Sequence, residues 1–178
     1  MTIRKEVQLS VDQKFDPRRT RHLVNGTTYV LHCHHYATLY CRLADDAEIF
    51  DGKSMLRRAS ESAFYNEFVT IFEEHEPEDI RDAAKLIEDY FRFAGLGRLS
   101  FERLGGMAIV ARMDNSHTDE GWVKKWGTRE EPVNFIGQGF LAAAAAAIFE
   151  ENEGSYNVEE QQSIVSGAEY SRFVIVRR

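Results

Sequence analysis

The side chains best suited to chemistry are four consecutive residues, His32, Cys33, His34 and His35, followed by Cys41. Imidazole and thiolate groups are preferred ligands of zinc and other transition metals. On a helix, however, only positions three or four apart share a face, so a single ion can contact His32 and His35 but not the whole set. Any further ligand must come from elsewhere, and the candidates are His22, His75, His117 or a carboxylate.

Cys33 and Cys41 are the only cysteines in the chain. On one helix their separation is about 12 Å, which is too far for a disulfide. No Cys-x-x-Cys pair is present, so neither a disulfide framework nor a structural zinc knuckle is supported. Cys33 is expected on the buried face of its helix, as an inert thiol rather than a nucleophile.

Aromatic residues offer a second kind of site. Tyrosines recur along the predicted first helix, phenylalanines along the second, and two tryptophans lie one turn apart on a short helix. Aromatic walls supply the burial that a small ligand needs, and a histidine or tyrosine can orient one polar group of the guest. The alternative is that these aromatic residues belong to an ordinary hydrophobic core. The predicted pocket is lined by His32, His35, Tyr36, Tyr40, Phe64, Phe68, Trp122 and Trp126.

Hydrophobic periodicity and turn residues give the elements that position these side chains. Helices are expected over residues 28–47, 54–74, from Pro77 to Gly95, around the two tryptophans, and over residues 133–149, which include six consecutive alanines. Strands are expected over residues 6–12, 99–104, 107–112, 155–161 and 169–176. This order predicts one α+β domain over residues 1–178, with helices packed on an antiparallel sheet of about four to five strands.

Composition narrows the classes of function. The net charge of −7 disfavours a non-specific nucleic-acid binder, because phosphate binding needs a basic surface. The longest apolar run, near Leu141–Phe149, is too short to span a membrane, and the N-terminus lacks the apolar segment of a signal peptide. The expected location is therefore cytoplasmic. Motifs for nucleotide, phosphate-loop, serine-hydrolase and zinc-protease sites are absent from the sequence.

The C-terminal third carries a loose pattern. The alanine helix starts with Gly139-Phe140. After it come Tyr156, Val158, Glu160 and Ser163, and then Gly167 and the run Ser171-Arg172-Phe173. This pattern resembles the 4-vinyl-reductase-type domain, which is related to the small TRAPP transport subunits and, more distantly, to haem-based nitric-oxide sensors. The order of helices and hairpins upstream is similar too, so the resemblance spans about residues 25–176.

The resemblance implies an apolar pocket between helices and sheet, often in a homodimer. In zinc-containing members the metal is held by a glutamate and by cysteines at positions that match Ser163 and Ser171. Serine hydroxyls do not ionise near neutral pH, so no zinc is expected with Glu160, Ser163 and Ser171.

Three functions stay open from the sequence. The leading one is a sensor or carrier that binds a small apolar or aromatic molecule as a homodimer, without the family zinc site. The second is a metal- or histidine-dependent hydrolase or reductase centred on His32–His35, with His117 as a further group. The third is a homo- or hetero-oligomeric scaffold subunit, in which the smooth Gly/Ala helix is a contact surface.

Overall fold

The computed structural model describes residues 7–105 and 107–178. Within them the chain forms an α+β fold of five α-helices and two antiparallel sheets, as the sequence predicts. In chain order the elements are β1 Gln13–Asp16, β2 Arg21–Val24, β3 Thr27–Tyr29, α1 His34–Asp46, α2 Gly52–His75, α3 Ile80–Phe93, β4 Gly97–Arg103, β5 Ile109–Ser116, α4 His117–Trp126, α5 Phe135–Ile148, β6 Tyr156–Gln162 and β7 Ser171–Arg177.

The larger sheet has four strands in the order β4-β5-β7-β6, and every neighbouring pair is antiparallel. The two expected hairpins, β4–β5 and β6–β7, are both confirmed. Gly106 in the first turn lies outside the described residues. Pairing of β5 with β7 joins the two hairpins, so residues 109–113 lie beside residues 171–175 although they are far apart in sequence.

The smaller sheet, β1-β2-β3, differs from the prediction. A strand was expected over residues 6–12, but residue 6 is outside the described part and the first strand begins at Gln13. Asn25 and Gly26 form the β2–β3 turn, with φ of 47° and 82°. Positive φ at both central residues is typical of a two-residue hairpin, for which Asn-Gly is the usual pair. The Asn-Gly pair therefore forms the turn of this hairpin.

Helix α1 begins at His34 rather than near Thr28, because Thr27–Tyr29 pairs with β2 instead. Its buried face is also not the tyrosine face: Tyr36 is 52% exposed and Tyr40 is 45% exposed. The buried positions are small residues, Ala37, Thr38, Cys41 and Ala44.

Close contact between α1 and α4 explains this choice of face. A Cβ on Gly121 would lie only 2.4 Å from Thr38 Oγ1 and 3.0 Å from the His34 carbonyl oxygen, so tyrosines do not fit between the two helices. Cys33 is correspondingly exposed at the N-terminal end of α1, and the expectation of a buried thiol is wrong for it.

Helix α5 forms the centre of the molecule, between α2 and the four-stranded sheet. All of its residues except Ile136 are buried, as expected for a helix that is apolar on every side. A Cβ on Gly139 would meet the Arg57 carbonyl oxygen at 2.3 Å and the Ser60 Cβ at 2.6 Å. The lack of a side chain at this position is what lets α5 touch the backbone of α2.

Among the described residues, no helix combines the length and the hydropathy needed to cross a lipid bilayer.

Replacing Gly139 by alanine tests this helix contact. Alanine favours an isolated helix by roughly 1 kcal/mol, but here its methyl group has no room, so the free energy of unfolding should fall by about 1–3 kcal/mol. Ala63→Leu, on an exposed position of α2, is the size-increase control and should change it by less than about 0.5 kcal/mol. Urea unfolding measures both. A stabilised Gly139→Ala variant would contradict the close contact.

Candidate functional site

The structure does not bring the eight predicted pocket residues into one chamber. They fall in three places: a surface group at the start of α1, a tryptophan pair on α4, and a phenylalanine cluster in the main core. The surface group contains His32, His35, Tyr36 and Tyr40.

In the surface group, Tyr36 and Tyr40 pack edge to face at 5.2 Å between ring centroids, and Tyr40 Oη donates a hydrogen bond of 3.0 Å to Tyr36 Oη. His32 lies against Tyr36 at 5.7 Å. The same histidine is 5.5 Å, between ring centroids, from His117, one of the candidates for a further group beside His32–His35. These rings form a largely exposed platform, not the wall of a pocket.

Trp122 and Trp126 pack against each other at 4.7 Å, and Trp122 is almost completely buried in the smaller of two hydrophobic clusters. The guanidinium of Arg129 lies 5.4 Å from the Trp122 ring and that of Arg42 lies 5.9 Å from it. Protein side chains therefore occupy the faces of this indole, and the pair anchors α4.

Phe64 and Phe68 lie in the larger hydrophobic cluster, where their rings surround Phe140 of α5 at 4.8 Å and 5.0 Å. Phe91 of α3 contacts the same ring at 4.9 Å. Phe140 is the large side chain that fills the space under the alanines. Beside it is a gap of about 10 Å³, which is about the room that one water molecule needs. Its lining is Phe91, Leu96, Ser116, Thr118, Asn134, Ile136, Gly137 and Phe140.

The polar edge of this gap belongs to a buried hydrogen-bond network. Asn134 begins α5 by accepting a hydrogen bond from the Gly137 amide at 2.9 Å. Its Nδ2 donates to Ser116 Oγ at 3.0 Å and to Asp119 Oδ2 at 3.1 Å. Ser171 Oγ of β7 donates to the same carboxylate oxygen at 3.2 Å. The network thus joins β5, α4, α5 and β7.

Glu160 of β6 lies at the other end of this network. Gln138 Nε2 donates to Glu160 Oε2 at 3.4 Å. Glu160 Oε1 and Asp119 Oδ1 are buried and have no hydrogen-bond partner among the described residues. Burial, and after it the nearby Asp119 carboxylate, raises the pKa of Glu160 to about 8. Burial also raises the pKa of Asp119 to about 6, against the opposing effect of hydrogen bonds from Ser116, Ser171 and Asn134. At neutral pH the carboxyl of Glu160 therefore keeps its proton.

The residues at the zinc position that the sequence resemblance implies, Glu160, Ser163 and Ser171, do not fit that metal. Ser163 Oγ accepts a hydrogen bond from the Val165 amide, and Ser171 Oγ accepts one from the Ile164 amide while donating to Asp119. Neutral hydroxyls that already bond the backbone are poor zinc ligands. Across the described residues, no three His, Cys, Asp or Glu side chains are grouped as a metal site.

Sequence reasoning missed Asp119 and Asn134, the centre of the network. No motif links them, and they meet because α4 and α5 both start at the same end of the sheet. A weak signal was present: Asn134 precedes the helix that Pro132 introduces, and asparagine is a favoured N-terminal cap.

A wider cleft of about 600 Å³ lies between the end of α2, the start of α3 and the end of α5. None of the eight predicted residues lines it. Although its floor is apolar, its mouth is open and acidic, which suits a neutral aromatic guest poorly. The carboxylates at the cleft are Glu73, Glu76, Glu78, Asp79 and Glu150.

Comparison with known proteins gives a likeness of fold. No protein-family model matches the chain, and no curated protein sequence matches it. Among solved structures it is similar to the phenol-responsive sensory domain of the transcription activator PoxR, solved with phenol. That match has a TM-score of 0.73 and 11% identity, and it covers 93% of this chain and 84% of that one.

Two further structures share the fold. A trafficking protein particle complex subunit 3 from Naegleria fowleri, covalently bound to palmitic acid, gives a TM-score of 0.55 at 9% identity, covering 82% of this chain and 95% of that one. A vinyl-4-reductase family protein from Methanocaldococcus jannaschii gives 0.50 at 16% identity, covering 86% of this chain and 99% of that one. The resemblance to 4-vinyl-reductase and TRAPP domains is thereby confirmed at the level of fold.

The raised pKa values predict that stability falls as the pH rises. The pKa values in the folded protein are about 8 for Glu160 and about 6 for Asp119, whereas the ordinary values are 4.5 and 3.8. As the pH rises, the unfolded chain therefore loses these two protons at a lower pH than the folded protein does. The stabilisation is full below about pH 4 and is lost progressively up to about pH 8. The free energy of unfolding from urea titrations at several pH values measures this.

Glu160→Gln keeps the shape of the side chain but does not ionise. The drop in unfolding free energy between pH 5 and pH 8 should shrink by about 1–3 kcal/mol in this variant. Glu159→Gln, one residue earlier and exposed, is the matched control and should retain the wild-type drop. Equal pH profiles for wild type and Glu160→Gln would show that Glu160 is ionised in the folded protein.

Proposed function

We propose that this domain binds a small apolar or aromatic molecule beside Phe140 and acts as a sensor or carrier. The observation that carries the proposal is the gap itself: it has aromatic walls on one side and buried hydrogen-bonding groups, Ser116 and Asn134, on the other. A phenol-like molecule needs this combination, because its ring must be buried and its hydroxyl needs a partner. The fold shared with a phenol-responsive sensory domain supports the same class of ligand.

Binding requires the gap to enlarge. At about 10 Å³ it is far smaller than typical ligand pockets of roughly 300–1,000 Å³. The side chain that yields in this proposal is Phe140, because it borders the gap and the helix positions three and four residues away include the small residues Gly137, Ala143 and Ala144. Ligand binding then shifts the population toward a conformation in which the guest replaces part of the aromatic cluster.

Of the eight residues predicted from the sequence, Phe64 and Phe68 belong to the proposed binding site, because their rings surround the space that Phe140 fills. Trp122 and Trp126 hold α4, and therefore Asp119, in place. His32, His35, Tyr36 and Tyr40 do not contact the guest in this arrangement. The net charge of −7 is consistent with the absence of a nucleic-acid partner, and a cytoplasmic setting belongs to the same proposal.

A second candidate function, an oligomeric subunit, is favoured by the outer face of α1. Tyr36 and Tyr40 share this face with Leu39 and Leu43, which are 40% and 56% exposed. Spacing of three and four residues makes a continuous apolar stripe of the kind that helices pair through. We propose a homodimer in which α1 packs against α1 of a second copy. Further along the chain, Ile49, Phe50 and Met55 are also exposed.

The ligand proposal predicts that wild-type protein binds phenol and that its NMR signals shift most around Phe140 and Leu96. Leu96→Phe fills the gap and should weaken binding by at least about tenfold, since a filled pocket must be reopened. Leu96→Ala enlarges the gap and should tighten binding by at least about tenfold, because phenol can bury its ring in the space that the leucine side chain leaves.

Leu104→Ala serves as the matched control, because Leu104 packs against the same core but does not line the gap. Its phenol affinity should equal that of wild type. Failure of wild-type protein to bind phenol, indole or toluene at millimolar concentration would refute the proposal, even if Leu96→Ala binds them.

The dimer proposal predicts that Leu43→Glu produces a monomer, because a buried unpaired carboxylate on a helix interface is strongly unfavourable. Ala63→Glu places the same charge on an exposed position of α2 and should leave the dimer intact. Light scattering coupled to size-exclusion chromatography measures the mass. A monomeric wild-type protein at 100 μM would count against the homodimer.

A further inference from the structure

A second cavity lies between the small sheet and the helices α2 and α3. Its volume is about 60 Å³, which is several times the room that one water molecule needs. Side chains from residues 9–11 and 24–29 form its roof, and side chains of α2 and α3 form its floor. It shares no lining residue with the Phe140 gap or with the acidic cleft, so it is a separate space in the molecule.

The roof is a thin layer that hydrogen bonds hold together and attach to α2. The Asp12 amide donates to Asn25 Oδ1 at 2.8 Å, and Asn25 Nδ2 donates to the Ser10 carbonyl at 3.2 Å. The Ser10 amide in turn donates to His75 Nε2, at the end of α2, at 2.8 Å. A layer that is attached through exposed hydrogen bonds opens at a low cost in free energy, which gives a small guest a way in.

The polar part of the cavity wall consists of two tyrosines and a carboxylate. Tyr29 Oη donates to Glu67 Oε1 at 3.1 Å, and this bond uses the Tyr29 proton. Tyr90 is 7% exposed, and burial raises its pKa, so its hydroxyl stays neutral. The other carboxylate oxygen, Glu67 Oε2, accepts no hydrogen bond from the described residues. It is therefore available to a guest that donates one.

The charges of the lining favour a cation. Glu67 and Glu74 both line the cavity, and none of its described lining residues is a lysine, an arginine or a histidine. Much of the remaining floor is apolar or aromatic, and it includes Ile71, Tyr90 and Phe93. Aromatic rings attract cations and also bury carbon atoms. A carboxylate beside such rings therefore matches an ammonium group that carries a hydrocarbon chain.

We propose that this cavity binds a short primary alkylammonium ion, whose ammonium group donates to Glu67 Oε2 while its alkyl chain packs against Ile71 and Phe93. Glu67 supplies the opposite charge that a desolvated ammonium requires. Glu74 lies two turns further along α2, about 10.5 Å away, and adds attraction at the exposed rim. At about 10–15 Å³ for each water-sized atom, the cavity has room for about four to six heavy atoms, as in an amine of about three to five carbons.

The test titrates the full chain at pH 7 with n-butylamine and with n-butanol, in a calorimeter and by NMR. The two probes have the same number of heavy atoms, but only the amine is charged at this pH, as a lysine side chain is. We expect n-butylamine to bind with a dissociation constant of about 1 mM or tighter, and n-butanol to bind at least about tenfold more weakly. The NMR signals of Ile71 and Phe93 should shift, and those of Phe140 should not.

Charge variants of α2 identify the carboxylate. In Glu67→Gln the amide oxygen still accepts the Tyr29 hydroxyl, but the charge is lost, so n-butylamine should bind at least about tenfold more weakly. Glu73→Gln removes the same charge one residue before Glu74, on the side of the acidic cleft, and is the matched control that should bind n-butylamine as wild type does. Val24→Phe fills the cavity from its roof and should weaken binding by at least about tenfold without changing any charge.

Three results would overturn the site. One is equal affinity of wild type for n-butylamine and n-butanol. Another is unchanged affinity for the amine in folded Glu67→Gln and Val24→Phe variants. The third is an equal loss in Glu73→Gln and Glu67→Gln, which would show general attraction to an acidic surface. The site uses none of the residues proposed for phenol binding, so either proposal can fail without the other.

Discussion

Direct contact between the backbones of α2 and α5 is the constraint on which the rest of the structure depends. It requires glycine at position 139, since any larger residue would collide with the Arg57 carbonyl. The alanines that follow keep the rest of α5 slim enough to lie between α2 and the sheet. A helix without bulky side chains fills little of the core by itself, so Phe140 occupies the space beneath it. That ring is therefore both the centre of the core and the side chain whose movement would admit a guest.

The same position of α5 brings Asn134 to Asp119 and Ser171 in one buried hydrogen-bond network. It connects two helix starts to β7 without an ion. The arrangement has a cost, since two carboxyl groups are buried close together and their pKa values rise. A protonated Glu160 relieves part of that cost, which ties the stability of this end of the fold to pH.

Local signals in the sequence were enough for much of the fold. The hairpins and the helices α2, α3 and α5 follow from periodicity, prolines and turn glycines, all of which act over a few residues. Features that depend on distant pairing were not predictable in this way. Thr28 is in a strand and not in α1, because it pairs with β2. Tyr36 faces solvent because the face of α1 with small side chains packs against Gly121 of α4. Asp119, Asn134 and the approach of His117 to His32 depend on tertiary contacts that no spacing in the chain encodes.

The central claim is that a small aromatic guest takes the place of part of the Phe140 ring at the edge of the Asn134 network. A crystal structure grown with phenol tests it most directly. The account predicts phenol between Leu96, Phe91 and a displaced Phe140, with its hydroxyl hydrogen-bonded to Ser116 or Asn134. An unmoved Phe140 ring, with phenol absent or bound in the acidic cleft at the end of α2, would contradict it.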